Sequence, residues 1–228
     1  MSFNGVVLEA LTGIGLSASA GLNAWIPLLA IGLLNRYTDL INLPSGWAWL
    51  SNGWVLAILA VLLAVEIVAD KIPVVDHVND AIHTVIRPTA GGLAFGASSD
   101  ASTVTVQDPG SFFSSHQGIA VASGVLIALF VHLTKASARP VINTMTAGIG
   151  APVVSTAEDV SSVGLSLIAI IFPILVLVFL VAFVFFVIWA RKRIKERRAR
   201  KREEKARRRG QISPAAPASA WPPSDRPG

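Results

Sequence analysis

The segment EIVADKIPVVDHVNDAIHTVIRPTAGGLAFG, residues 66–96, decides how this chain folds. From Glu66 to Arg87 it carries four acidic residues, two histidines, a lysine and an arginine. The sequence on both sides of it is mostly long and apolar. Charge placed in or against a bilayer is costly, so the fold must give these side chains partners or water.

The composition is that of a membrane protein. Of 228 residues, 53% are hydrophobic and only 14% are charged, whereas soluble domains carry about 25% charged residues. The mean hydropathy is +0.61. The chain has no cysteine, which excludes a disulfide framework, a thiolate metal site and a cysteine nucleophile.

Charge is divided sharply along the chain. Residues 1–190 hold five Lys/Arg and ten Asp/Glu, whereas residues 191–228 hold fourteen and four. This division predicts a membrane domain at 1–190, a basic cytoplasmic helix at 191–209 and a disordered Pro/Ala/Ser-rich tail at 210–228. We expect a multi-pass protein of the cell membrane with a cytoplasmic C-terminus. The thirteen Lys/Arg from Arg191 to Arg209 predict binding to anionic lipid rather than to nucleic acid.

Hydropathy and length predict an all-α, polytopic helix bundle with four full spans, at 6–34, 54–69, 118–133 and 165–190. Two short broken, re-entrant or interfacial helices, at 73–97 and 140–157, complete the prediction. The first residues lack a basic region and contain Glu9, so we read them as part of the first span and not as a signal peptide. Tryptophans 47, 49 and 54 are typical of an interfacial belt.

Several positions predict breaks or close packing. In the first span, Ser19 and Asn23 interrupt the apolar run, and Asn143 lies in a Thr/Gly/Ala-rich segment of the second half. These three are candidate lining residues of helix breaks. Pro88 is expected to end or kink its helix. Small residues at 13, 17 and 21, and at 92 and 96, predict close helix contacts, including a possible homo-oligomer interface.

The two halves of the chain, 1–97 and 117–190, echo one another. Each contains a charged stripe that ends in Arg-Pro, at 87–88 and at 139–140. If each half contributes three elements, the second copy is inverted, as in many secondary transporters. An even number of crossings then puts the N-terminus in the cytoplasm with the C-terminus.

A set of ordered motifs resembles a known family. They are ASAGLNAWIP at 18–27, DKIP at 70–73, DH at 76–77 followed by Asp80, RP at 87–88, Lys135 to RP at 139–140 with Asn143, and AED at 157–159. Over about residues 5–190 they resemble the bacterial membrane family called domain of unknown function 4126. That family usually has arginine where this chain has Asn23, so no anion-binding role is carried over to that position. The resemblance implies an architecture and no activity.

Two explanations compete for the charged stripe. At about 100° per residue, Asp76, Asp80, His83 and Arg87 share one arc of a helix, opposite an apolar side. In the first explanation the helix lies at the membrane interface with this arc in water. In the second, it folds into the bundle and its charges pair with others. An acidic stripe would be repelled by an anionic leaflet, which counts against the first.

The second explanation predicts an ion or proton relay. Burial raises the pKa of a carboxylate, which can then exchange its proton near neutral pH, and histidine titrates there without help. The relay candidates are Glu66, Asp70, Asp76, Asp80, His83 and His132. The candidate counter-charges or anion clamps are Lys71, Arg87, Lys135 and Arg139. The predicted function is an ion- or proton-coupled carrier or channel for a small anionic solute or lipid phosphate.

Two other functions remain open. Carboxylates spaced four apart, Glu66 with Asp70 and Asp76 with Asp80, would suit a Mg²⁺-dependent enzyme acting on lipid phosphates. However, the chain has no P-loop, HExxH or GxSxG motif, and we predict neither a resident metal nor a cofactor. The charges could also serve packing alone, in a structural membrane scaffold.

Overall fold

The computed structural model describes residues 3–99, 115–146 and 149–179, together with short helical stretches between 181 and 196. The side chains of 73–78 lie outside this description. Within it the fold is helical, without strands. The elements are α1 (Phe3–Leu22), α2 (Trp25–Tyr37), a 3₁₀ helix (Ser45–Ser51), α3 (Gly53–Ala69), α4 (Pro73–Ser98), α5 (His116–Thr146) and α6 (Gly150–Ile171).

The helices are those of a multi-pass membrane protein. Three of them, α1, α5 and α6, are long and apolar enough to cross a bilayer. The 3₁₀ helix and α3 together, bent by 59°, make a fourth candidate span. At about 39 Å, α4 is also long enough, but it is less apolar and is not among the candidate spans.

Helix α1 lies at the centre of the bundle and packs against α4, α5 and α6. Small residues permit these contacts. A Cβ on Gly13 would lie 2.5 Å from the Phe95 ring, and one on Gly21 would lie 2.7 Å from the Ala128 carbonyl oxygen. Ser17 donates to the carbonyl oxygen of Gly91 at 2.9 Å. The predicted small-residue stripe therefore packs within the chain.

Helices α4 and α5 pack antiparallel, backbone against backbone. A Cβ on Gly91 would lie 2.8 Å from the Gly124 carbonyl oxygen, and one on Gly92 would lie 2.8 Å from Val125. Gly96 is covered by the Trp47 ring. The surface at 92 and 96, which the sequence offered for self-association, is thus covered by α5 and the 3₁₀ helix.

The first predicted span, 6–34, is wrong as a single crossing. Helix α1 ends at Leu22 and α2 begins at Trp25, so the predicted break at Asn23 is present. Contacts of Gly32 with Leu56 and of Arg36 with Ser51 make α2 antiparallel to α3.

The α1–α2 connection reverses the chain. Helices α1 and α3 both run antiparallel to α4. Gly13 meets Phe95 while Ser17 meets Gly91, and Glu66 meets Arg87 while Asp70 meets Asn79. Helices α1 and α3 are therefore parallel to each other. Since α2 is antiparallel to α3, it returns along the bundle in the direction opposite to α1.

The predicted ends of the later elements also need correction. Helix α4 continues through Pro88 to Ser98, and α5 continues through Pro140 to Thr146. In membrane helices, neighbouring groups satisfy the backbone that a proline frees. The predicted span 165–190 is also wrong at its start, because α6 begins at Gly150 and ends at Ile171, before Pro173.

After the break at Phe172 the chain is helical again from 173 to 179. The chain divides into two compact units, Met1–Phe179 and Leu180–Gly228. In the second unit, the Arg193 guanidinium lies 5.4 Å from the centre of the Trp189 ring. Most of the predicted basic helix 191–209 and the whole predicted tail 210–228 lie outside the described residues.

Helix α4 turns its charged side inward and its apolar side outward. Val85 is 71% exposed and Ile82 is 54% exposed, whereas His83 and Arg87 are buried. A helix lying at the membrane surface would have the opposite arrangement. Of the two explanations for this segment, the structure has the geometry of the second, in which α4 is part of the bundle.

Candidate functional site

Charged side chains from four helices meet inside the first unit. We call this group the ion-pair cluster. Its members are Glu66 and Asp70 at the end of α3, Asp80 and Arg87 of α4, Lys135 and Arg139 of α5, and Glu158 of α6. Among the described side chains it thus contains four carboxylates and three basic groups.

The most deeply buried pair of the cluster is Glu66 with Arg87. Nη2 of Arg87 donates to Oε1 of Glu66 at 2.7 Å, and the side chains are 0% and 1% exposed. Charge-assisted hydrogen bonds of this length are among the stronger ones in proteins. Because α3 ends beside α4, Glu66 and Arg87 meet although they are 21 residues apart.

The hydrogen bonds around His132 determine its tautomer. Nη1 of Arg87 lies 3.1 Å from Nδ1 of His132, and a guanidinium group only donates, so Nδ1 is the acceptor. Nε2 lies 3.1 Å from Oγ1 of Thr84, whose own hydrogen goes to the carbonyl oxygen of Asp80. Nε2 therefore carries the hydrogen, and His132 is neutral.

Asp70 joins the two halves of the chain. Its Oδ2 lies 3.0 Å from Nη2 of Arg139 and 3.3 Å from Nζ of Lys135, and Nη2 of Arg87 is 3.5 Å away. Its Oδ1 accepts from Nδ2 of Asn79 at 2.6 Å. The two arginines that precede prolines thus approach a single carboxylate from antiparallel helices.

Helix α6 contributes two acidic residues: Glu158 is a member of the cluster, and Asp159 lies at its margin. Glu158 pairs with Lys135 at 3.0 Å and with Arg139. Asp159 accepts from Nδ2 of Asn23 at 3.0 Å and lies 4.0 Å from Nζ of Lys71. The Asp159–Lys71 pair is partly exposed, so it forms the more open side of the site.

The break between α1 and α2 opens onto the cluster. Lys135 donates through Nζ to the carbonyl oxygen of Leu22 at 2.9 Å, which is a backbone group freed by the break. The Asn23 side-chain oxygen accepts from the backbone N–H of Trp25 at 3.1 Å and caps α2. Broken helices at membrane depth are tolerated where protein satisfies the freed backbone groups. Here the Leu22 carbonyl oxygen and the Trp25 N–H, one on each side of the break, both have side-chain partners.

A chain of buried hydroxyls continues from the break along α1 and α6. Oγ of Ser19 lies 2.7 Å from Oγ of Ser162 and 2.7 Å from Oγ of Ser166. It also contacts the carbonyl oxygen of Ser162 at 2.8 Å. All three serines are fully buried, so these bonds hold α1 against α6 below the ion-pair cluster.

Part of the cluster has unsatisfied hydrogen-bonding capacity. Nδ1 of His83 lies 3.6 Å from Oε1 of Glu66, which is too far for a hydrogen bond. Among the described residues, Nδ1 of His83, Oε2 of Glu66 and Oδ1 of Asp80 have no hydrogen-bond partner although they are buried. Such atoms are uncommon in folded proteins and need an explanation.

The structure brings together most of the residues predicted from the sequence. Glu66, Asp70, Asp80, Arg87, Lys135 and Arg139 are members of the cluster, His83 and His132 contact it, and Lys71 lies at its margin. Ser19 and Asn23 lie at the helix break. The side chain of Asp76 is outside the described residues. Asn143 is not a member of the cluster, but together with Arg139 it lines a shallow cleft between α5 and α6.

Three contributors were not predicted as site residues. Glu158 and Asp159 appeared only in the family motif, although two adjacent acids in an apolar helix are themselves a signal of pairing. Trp25 was also missed, and its ring meets that of His83 edge to face at 6.3 Å. No arrangement of histidine and acidic side chains suited to a metal ion occurs in the described part of the chain.

Fold and site together define a multi-pass helical membrane protein with a buried ion-pair cluster at a helix break. Residues 10–193 match the family described as "Domain of unknown function (DUF4126)". The chain belongs to this family, as the motifs between 18 and 159 predicted. Neither a curated protein nor a solved structure matches the chain.

Proposed function

We propose that this protein is a proton- or cation-coupled membrane carrier whose exchange site is the ion-pair cluster. The observation that supports this is an imbalance of charge. Among the described side chains the cluster contains four carboxylates and three basic groups, and the marginal pair of Asp159 and Lys71 is balanced. A buried uncompensated charge is strongly unfavourable, so a proton or another cation accompanies the fourth carboxylate.

The position of the cluster also supports a carrier. In secondary transporters, ion sites lie where helices are discontinuous and backbone carbonyls are freed. Here the carbonyl oxygen of Leu22, at the break, is bound by Lys135 of the cluster. Movement at this break would change the surroundings of Lys135, and through it those of Asp70.

The cargo that we propose is a small anionic solute or lipid phosphate. Arg139, Asn143 and Ala151 line the cleft between α5 and α6, which is closed to a water-sized molecule in this structure, so an anion would bind the arginine only when the two helices separate there. Because Arg139 also pairs with Asp70 and Glu158, an anion in the cleft would compete with these carboxylates. Such competition would couple anion binding to proton binding.

Flux measurements test this function. The full chain is reconstituted in vesicles of phosphatidylcholine and phosphatidylglycerol that contain a pH-sensitive dye, and a pH gradient is imposed with inorganic phosphate outside as the co-transported anion. We expect faster proton entry than in protein-free vesicles, and loss of that entry in Glu66→Gln and in Asp80→Asn. The control is Asp39→Asn, because Asp39 is exposed outside the cluster. Wild-type flux equal to that of empty vesicles would refute the proposal.

A structural scaffold is the second candidate, and the same cluster favours it. Its ion pairs join α3, α4, α5 and α6, so they specify how these helices pack. A scaffold predicts that Glu66→Gln lowers stability while no form of the protein moves protons. The enzyme alternative has less support, because Glu66 and Asp70 are both held by arginines and do not form an open Mg²⁺ site.

A further inference from the structure

We infer that Glu66 and His83 together bind one exchangeable proton; that this is the coupling proton of a carrier rests on the function proposed above. The two side chains face each other at the inner end of the cluster. Nδ1 of His83 is 3.6 Å from the nearer Glu66 oxygen, and His83 and Glu66 are 4% and 1% exposed.

The hydrogen-bond inventory identifies this pair. Oε1 of Glu66 is occupied by Arg87, whereas Oε2 has no partner among the described residues, and neither does Nδ1 of His83. Nδ1 of His83 lies nearest to Oε1, the oxygen that accepts from Arg87, so the unpartnered Oε2 and the His83 ring are two adjacent positions for one added proton. Its addition forms either an O–H bond on Glu66 or an N–H bond on His83 and breaks no other bond in the protein.

The other titratable groups around the pair already have hydrogen-bond or ion-pair partners. His132 accepts from Arg87 through Nδ1 and is neutral, so it cannot take the proton without losing that bond. Asp70 is surrounded by three cations, and Glu158 is held by Lys135 and Arg139. From α2, the Trp25 ring covers His83 and brings no charge.

Asp80 is the competing position, since its Oδ1 also lacks a hydrogen-bond partner. It has two guanidinium groups nearby, Nη1 of Arg87 at 3.7 Å and Nη1 of Arg139 at 4.0 Å. Its side chain is 15% exposed, so water can reach it more readily than Glu66. These features assign the stable proton to the Glu66–His83 pair, and Asp80, three residues from His83 on α4, to the more accessible side.

A difference titration tests the assignment. Proton uptake by the full-length protein in detergent micelles is measured through the neutral range for wild type, Glu66→Gln, His83→Gln and the double variant. We expect each single variant to take up one proton fewer than the wild type. The double variant should also take up only one proton fewer, because the two side chains share that proton. Loss of two by the double variant, or wild-type uptake in both single variants, would overturn the assignment. Asp39→Asn should titrate like the wild type.

Spectroscopy locates the proton independently. The chain has four histidines, and ¹⁵N labelling with His83→Gln identifies the His83 signal. Either this signal or the infrared band of a protonated carboxyl should change with pH in wild type, and Glu66→Gln should remove the change. The signal of His132 should stay that of the neutral Nε2–H tautomer, and its titration in place of His83 would refute the assignment. Proton uptake that depends on Glu66 and His83, in a protein that gives no flux in vesicles, would refute only the carrier function. Flux in vesicles, in a protein whose variants take up as many protons as the wild type, would refute only this inference.

Discussion

Asp70, at the end of α3, and Arg139, in the second half of the chain, form an ion pair in which Oδ2 and Nη2 are 3.0 Å apart. They are 69 residues apart in sequence. Lys135 and Arg87 approach the same oxygen. The carboxylate of Asp70 is therefore the point at which charges of α3, α4 and α5 are balanced.

Replacing Asp70 by asparagine should be strongly destabilising. It removes the negative charge that three buried cations share, and breaking a buried pair costs about 3–5 kcal/mol. Chemical unfolding in mixed micelles, followed by circular dichroism, would measure this loss. Asp39→Asn is the matched control and should stay within about 0.5 kcal/mol of wild type. Equal stabilities of the two variants would contradict the role given to Asp70.

Glu66 and Arg87 should behave as one unit in a double-mutant cycle. Arg87→Met leaves a buried carboxylate, and Glu66→Leu leaves a buried guanidinium, so each alone is destabilising. The double variant removes both charges and should be more stable than the sum of the single effects predicts, by about 0.5–3 kcal/mol. The same unfolding assay measures it. Additive effects would mean that the two charges do not interact.

His132 should tolerate asparagine better than leucine. The Asn side-chain oxygen can replace Nδ1 as acceptor for Arg87, whereas leucine leaves the buried guanidinium one acceptor short. An unsatisfied buried group costs about 1–3 kcal/mol. The expected order of unfolding free energies is wild type, then His132→Asn, then His132→Leu. Equal values for the two variants would contradict the acceptor role of His132.

Two glycines in helix interiors should respond oppositely to alanine. A Cβ on Gly124 would lie 2.7 Å from Cβ of Phe95 and would clash with the Gly91 backbone. Overpacking of this kind costs about 1–3 kcal/mol. A Cβ on Gly164 meets nothing within 4 Å, so Gly164→Ala should be neutral or stabilising by up to about 1 kcal/mol. Thermal unfolding in micelles would rank the two variants, and a Gly124→Ala variant as stable as the wild type would contradict the packing of α4 on α5.

The orientation of α4 can be tested with spin labels, since the wild-type chain has no cysteine. A label on Val85→Cys should be mobile and collide with oxygen dissolved in lipid more than with a water-soluble relaxation agent. A label on Ala94→Cys should be immobilised, because Ala94 is fully buried. The measurement is power-saturation electron paramagnetic resonance in vesicles. Preferential access of the water-soluble agent to position 85 would place α4 at the membrane surface instead.

The sequence predicted which charged residues pair better than it predicted the ends of the helices. Charges in an apolar chain must pair, which identified Glu66, Asp70 and Asp80 on one side and Arg87, Lys135 and Arg139 on the other. Which acid meets which base depends on antiparallel packing of α4 and α5. Backbone contact at Gly91 and Gly124 sets that packing, and charge alone carries no information about it.

The helix ends were predicted less well, for physical reasons. Pro88 was expected to end or kink its helix, yet α4 continues through it, as α5 does through Pro140, because membrane helices tolerate proline where neighbours satisfy the freed backbone. The reversal at Asn23 was read as an interruption of one span. Hydropathy does not distinguish these cases, because α1 and α2 are both apolar. The direction of α2 is set by contacts such as Gly32 with Leu56.

The outward apolar side and inward charged side of α4 have a consequence for biogenesis. Glu66 and Asp70, which pair with Arg87 of α4, precede this helix in the chain, whereas Arg139, which lies 4.0 Å from Asp80 of α4, follows it on α5. Without Arg139, Asp80 would share Arg87 with two other carboxylates, and an unpaired charge in the lipid costs about 3 kcal/mol near the centre of the bilayer. Stable integration of α4 is therefore completed by α5, and a nascent chain truncated before residue 132 should hold this segment in the hydrocarbon layer less stably than the full chain does.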